Sequence, residues 1–180
     1  MKQISKNDST KKLLLKLKQE DQNLVLKLNT KKSDLARISC KHKVELKKII
    51  KEIGWPVISK VGKEASQAAW LVAQHADHDV KFQEYCLNLM KNASDGDVLK
   101  KQIAYLTDRI LVNTGKKQLY GTQFYLNKKG VYGPRPIKDL ENINKRWQEM
   151  EMSSKSWKTF ADYKKVLLNK YWEDFKNNPR

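Results

Sequence analysis

Chemistry in this sequence could start from three histidines, two cysteines and a middle third dense in polar side chains. His75 comes first. Imidazole titrates near neutral pH and can accept or deliver a proton. His75 follows the amide of Gln74 at the predicted end of a helix. A protonated histidine there would equally stabilise the helix C-terminus through the macrodipole. Asp108 and Arg109 are adjacent, so on a helix they point roughly 100° apart and do not pair with each other. Asp108 can orient His75, and Arg109 can grip a phosphate or carboxylate with its forked guanidinium. An interhelical salt bridge would use the same groups. Gln118-Leu119-Tyr120-Gly121-Thr122-Gln123 alternates in a strand-like way. A strand would put Gln118, Tyr120 and Thr122 on one face and Gly121 and Gln123 on the other. Such a face suits a ligand floor, and suits a buried polar network as well. Gly54-Trp55-Pro56 reads as a helix stop with an aromatic plug, and Trp55 as a pocket wall is the lesser role.

Other chemistries find less. His42, His78-Asp79 and Asp108 follow the ligand order of metal-dependent phosphohydrolases. His42, however, lies between Lys41 and Lys43, where two cations disfavour a third, so no metal is expected. No Gly-rich phosphate loop, Gly-x-Ser-x-Gly elbow or Cys-x-x-Cys pair occurs. Two cysteines are too few for a disulfide scaffold or a four-cysteine zinc site. Cys40 and Cys86 read as core residues.

Gly54-Trp55-Pro56, Val61-Gly62, Gln74-His75-Ala76-Asp77, Asp108-Arg109 and Gln118–Gln123 occur in this order. Together they resemble an uncharacterised bacterial domain family, a domain of unknown function, over roughly residues 44–150. The resemblance implies one domain with a shared site and carries no established activity. From their chemistry, taken together with the shared site that the resemblance implies, His75 and Asp108 are expected to be catalytic. Arg109, Gln118, Tyr120, Thr122, Gln123, Gln74 and Trp55 are expected to bind substrate. No cofactor is expected.

These residues need helices to position them. The chain has 180 residues, 39% of them hydrophobic, with five Trp, seven Tyr and four Phe. That supports a packed core and argues against disorder. Helical periodicity runs over 11–28, 33–53, 63–76, 80–92, 97–112, 139–151 and 157–176. Ser9 or Thr10, Ser33-Asp34 and Asp77-His78-Asp79 can open helices, and Gly54 can close one. Ala65, Ala68, Ala69 and Ala73 leave room for a close helical neighbour. A β-like run at 118–126, a turn at 127–130 and Val131-Tyr132 suggest one hairpin. The expected fold is mainly α, a single-domain bundle of about seven helices with one small β-hairpin. Residues 1–43 read as a basic helical extension, and 44–180 as the domain that carries the motifs.

The net charge is +17. It divides as +10 over residues 1–60, +1 over 61–120 and +6 over 121–180. Lys-rich flanks suit an acidic protein, a polyanion or an acidic membrane surface, although packing of helix 11–28 onto the domain is the default. No apolar run is long enough for a transmembrane segment. The first residues lack the apolar stretch of a secretory signal. A cytoplasmic, soluble protein is the expectation. The functional reading is a small hydrolase or transferase acting on a phosphate-bearing substrate, nucleotide-like or ADP-ribosyl, with a His general acid/base. The alternatives are a non-catalytic binding or adaptor module and a basic protein that binds nucleic acid or a membrane surface. Oligomeric state is left open.

Overall fold

The computed structural model describes residues 2–26 and 32–177. Among them are eight α-helices and one two-stranded antiparallel sheet. The helices are α1 (Lys2–Leu26), α2 (Lys32–Ile53), α3 (Ile58–Val61), α4 (Lys63–Gln74), α5 (Val80–Lys91), α6 (Lys100–Asn113), α7 (Ile143–Glu149) and α8 (Phe160–Asn177). The strands are β1 (Phe124–Leu126) and β2 (Tyr132–Pro134). The fold is mainly α with one small hairpin, as periodicity indicated. The helix beyond the expected seven is α3, a single turn between Pro56 and Gly62.

The chain forms two compact units, Met1–Gln102 and Ile103–Arg180. In the first, α4 is the hub. It packs against α1, α2, α3 and α5. Its small residues explain this: Ala65, Ala68, Ala69 and Ala73 are fully buried, and a face without bulk admits neighbouring helices closely. From α1, Leu14 and Leu17 enter this core; Leu46, Ile49 and Ile50 come from α2, and Phe82, Cys86 and Met90 from α5. Gly54 ends α2 at φ +74, with its amide on the Ile50 carbonyl at 2.9 Å. Asp79 caps α5, its carboxylate accepting from the Phe82 amide at 3.0 Å.

Leu14 and Leu17 of α1 are therefore turned inward. Leu24 and Leu28, within the expected helix 11–28, lie outside the described side chains. Where the sequence suggested a boundary after residue 43, the contacts put α1 and α2 in the same unit as α4. Leu14→Ala is expected to destabilise this unit by about 2–5 kcal/mol, because the cavity left behind is lined by helices that cannot collapse. Removing residues 1–30 should abolish its cooperative unfolding, read by urea titration. An unchanged transition would make α1 dispensable. Cys40 also departs from expectation: it is exposed on α2, whereas Cys86 is buried.

The second unit is built on aromatic side chains. Ala104, Ile143, Trp147, Met152, Phe160 and Tyr163 form its buried centre, with Tyr105, Phe124, Trp157 and Leu167 packed around them. The hairpin pairs Phe124 with Pro134, Tyr125 with Gly133 and Leu126 with Tyr132. Its first strand begins at Phe124, later than the expected Gln118, for a reason that lies in Asp108.

Candidate active site

His75 is the residue that ends α4, at φ −90 and ψ 0. Its ring Nδ1 lies 2.9 Å from Oδ1 of Asp21, on α1. A carboxylate has only acceptors, so Nδ1 carries a proton, which leaves Nε2 as the nitrogen that can exchange one. The sequence offers Asp108 as the orienting carboxylate, but the one on this ring is Asp21. Ser39 of α2 donates its hydroxyl to the His75 carbonyl at 2.7 Å, tying the helix end in place. The pair opens on a pocket of about 350 Å³. Leu35, Ala36 and Ser39 line one side of it, and Asp77 and His78 the other. Partial burial and the nearby Lys43 push the His78 ring below the ordinary histidine range.

A second His–carboxylate pair sits one residue back along α1. Glu20 is 3.0 Å from Nε2 of His42, a ring that is almost wholly buried. The same Glu20 oxygen pairs with Lys41 at 3.4 Å. Asp79 is bracketed by Lys43 at 3.1 Å and Lys47 at 3.5 Å. The His42 hydrogen bond keeps the Glu20 carboxyl below its ordinary range, against a smaller effect of burial. Burial pushes Asp79 the other way, but the Phe82 amide and Lys43 outweigh it, so this carboxyl is lowered too. A lowered carboxyl binds protons less readily in the fold than in the unfolded chain. Its stabilisation is full above the ordinary carboxylate range and is lost as the pH falls through the lower folded value. Melting temperature should therefore drop between about pH 5 and pH 3. In the double variant Glu20→Gln/Asp79→Asn that drop should shrink. An equal slope in both proteins would show that other carboxyls carry it.

Two expected substrate-binding residues are interior groups of the first unit. Trp55 is buried, and its indole N–H meets no partner among the described residues. Gln74 is buried, with its side-chain oxygen likewise unpartnered. Behind it Gln83, fully buried, donates to the carbonyls of Ala73 at 3.2 Å and Gln74 at 3.3 Å and to Asp77 at 3.3 Å, closing the turn after α4. Burial raises the Cys86 thiol to about 12, which leaves it inert near neutral pH. Among the described residues no set of three His, Cys, Asp or Glu side chains is gathered as metal ligands. His42 is engaged by Glu20, and Asp79 is spent on its helix cap and two lysines.

In the second unit Asp108 is fully buried and organises a loop. Oδ1 accepts from the amides of Leu119 at 2.7 Å and Tyr120 at 3.0 Å. Oδ2 accepts from the amide and hydroxyl of Thr122, both at 2.9 Å. Burial pushes this carboxyl above its ordinary range, and the Thr122, Tyr120 and Leu119 amides pull against it. Gln118 does the same work further out. Its amide group donates to the carbonyls of Gln123 and Arg135 at 3.0 and 2.8 Å, and its oxygen accepts from the Gln123 amide at 2.8 Å. Gln123 in turn donates to the Thr122 hydroxyl at 2.8 Å. From α7, Arg146 binds the Leu119 carbonyl at 2.9 Å and Trp147 the Tyr120 carbonyl at 2.8 Å. Gly121 has φ +72, and a Cβ there would run into the Phe160 ring.

The structure thus gathers Asp108, Gln118, Thr122 and Gln123 into one knot whose polar atoms bond one another and the backbone, with Tyr120 held in it through its main chain. Residues 118–123 cannot form a strand because Asp108 draws three amides of the segment to a single carboxylate. Arg109, next to Asp108 on α6, is half-buried in this unit. His75 stands apart from the knot in sequence and belongs to the first unit, with Asp21 and the pocket.

The chain matches a family of unknown function (DUF6624) over residues 23–171. It belongs to that family. The match to DUF6624 spans parts of both units and takes in His75, Asp108, Gln118–Gln123, Arg146 and Trp147. It begins two residues after Asp21. Neither a curated protein nor a solved structure matches the chain significantly. Sequence reasoning missed Asp21, Ser39, Arg146 and Trp147. Only Asp21 carried a signal: Glu20-Asp21 breaks the Lys-Leu run of α1 with two acids.

Proposed function

We propose that the first unit carries an acid/base site of hydrolase or transferase type centred on His75. The observation that carries this reading is the Asp21–His75 pair at 2.9 Å on the wall of the pocket. With Nδ1 held by Asp21, Nε2 can take a proton from water or from a substrate hydroxyl as that oxygen attacks. The imidazolium then returns the proton to the leaving group. Asp21 steadies the charge that builds on the ring. Ser39 is not the nucleophile in this scheme, since its hydroxyl proton is given to the His75 carbonyl.

The substrate follows from the electrostatics. A net charge of +17 supports a phosphate-bearing, nucleotide-like or ADP-ribosyl molecule. Asp21 and Asp77 in the pocket wall repel phosphate, so the uncharged part of that molecule faces His75. The test is turnover of a panel of nucleotides and ADP-ribosyl compounds by the full chain and by His75→Gln. Activity that disappears in the variant supports the site; equal activity in both proteins overturns it.

A second reading, a non-catalytic binding module, is favoured by one observation. The Gln118, Thr122 and Gln123 side chains, expected to face a ligand, are bonded inward.

A further inference from the structure

The second unit has an end that its own packing does not account for. Phe124, at the start of the hairpin, meets Tyr163 with ring centres 6.0 Å apart. Tyr132, past the hairpin turn, stacks on Tyr171 at 4.1 Å and 9°. Tyr163 and Tyr171 lie about two turns apart on α8. The hairpin therefore runs alongside the helix, and its turn projects at the same end as the last turns of α8. Four large apolar side chains are concentrated there: Leu126, Val131, Trp172 and Phe175, each 42–56% exposed. The turn that presents Val131 is well made. Asn127 Oδ1 accepts from the Lys129 amide at 2.9 Å and the Val131 amide at 3.0 Å. Lys128 and Lys129 form its tip, and Lys170 and Lys176 flank the aromatic end of α8, against Glu173 and Asp174.

We propose that this end is an interfacial docking site for an anionic lipid surface. Aliphatic and aromatic side chains set among lysines are the pattern that enters the boundary between headgroups and acyl chains, with the ammonium groups on the phosphates. A protein partner is disfavoured, because four lysines border this end and lysine is depleted in protein interfaces relative to the rest of the surface. A single-stranded nucleic acid, which would stack its bases on the exposed Trp172 and Phe175 rings, is the competing occupant that oligo-dT tests.

The test is co-sedimentation of the full chain with vesicles of phosphatidylcholine alone or mixed with phosphatidylserine, at low and high salt. Binding is expected to the mixed vesicles, and to be at least about tenfold weaker to the neutral ones. Leu126→Ser/Val131→Ser and Trp172→Ser/Phe175→Ser should each reduce partitioning about tenfold or more, by removing the groups that insert. All four side chains are largely exposed, so both variants should melt close to the parent, and far-ultraviolet circular dichroism checks this. Adsorption driven by net charge alone would leave both serine variants bound as tightly as the parent, and that result overturns the proposal. So would failure to sediment with the mixed vesicles, or binding to oligo-dT in their place.

Discussion

Asp108→Ala is expected to destabilise the second unit by about 3–5 kcal/mol, a large share of the total stability of a small unit. The carboxylate is fully buried and accepts four close hydrogen bonds from three residues. Alanine would strand the Leu119, Tyr120 and Thr122 amides in the interior, and each buried donor without a partner costs about 1–3 kcal/mol. The loss would spread. Arg146 and Trp147 bind carbonyls of the loop that Asp108 shapes, and Trp147 stands in the centre of the aromatic core. Asp108→Asn keeps the volume and one acceptor but turns an NH2 group towards N–H donors, so an intermediate loss is expected. Urea titration followed by circular dichroism measures the stability. Amide hydrogen exchange at residues 119–122 gives the local readout, since protection there should vanish first. A parent-like midpoint for Asp108→Ala would show that the loop is held by other groups.

His75→Gln is expected to lower turnover by about 10²–10⁴-fold while leaving the fold intact. Glutamine is of similar reach and can still meet Asp21, but it cannot exchange a proton near neutral pH. The half-exposed position at the end of α4 limits the structural loss to about 1 kcal/mol or less, the usual worth of a helix-end histidine. Asp21→Asn should retain the ring's place and release its tautomer, so turnover falls with little change in melting. Steady-state rates on the substrate found in the nucleotide panel, set beside thermal melts, separate the two roles. If both variants turn over like the parent and only melt lower, the pair is a staple between α1 and α4 and the acid/base reading fails.

The elements that could be read in advance are those governed by local chemistry. Helical periodicity, an aspartate cap within 77–79, the Gly54 stop and the alanine face of α4 all act within a few residues, and all appear in the structure, although α1 begins at Lys2, well ahead of the expected residue 11. Cys86 is buried as the sequence suggests, whereas Cys40, read the same way, is exposed on α2. What only tertiary structure decided involves partners distant in the chain. Asp21 and His75 are 54 residues apart, and nothing near either of them marks the other. The segment 118–123 has strand-like alternation, but the carboxylate of Asp108, ten residues and more away, competes for its amides. A charged acceptor that takes several N–H groups at once outweighs a weak strand preference. The same competition decides which way the Gln118 and Thr122 side chains turn. Whether such side chains face a ligand or close on themselves depends on which backbone groups lie within 3 Å, and folding alone brings those groups together.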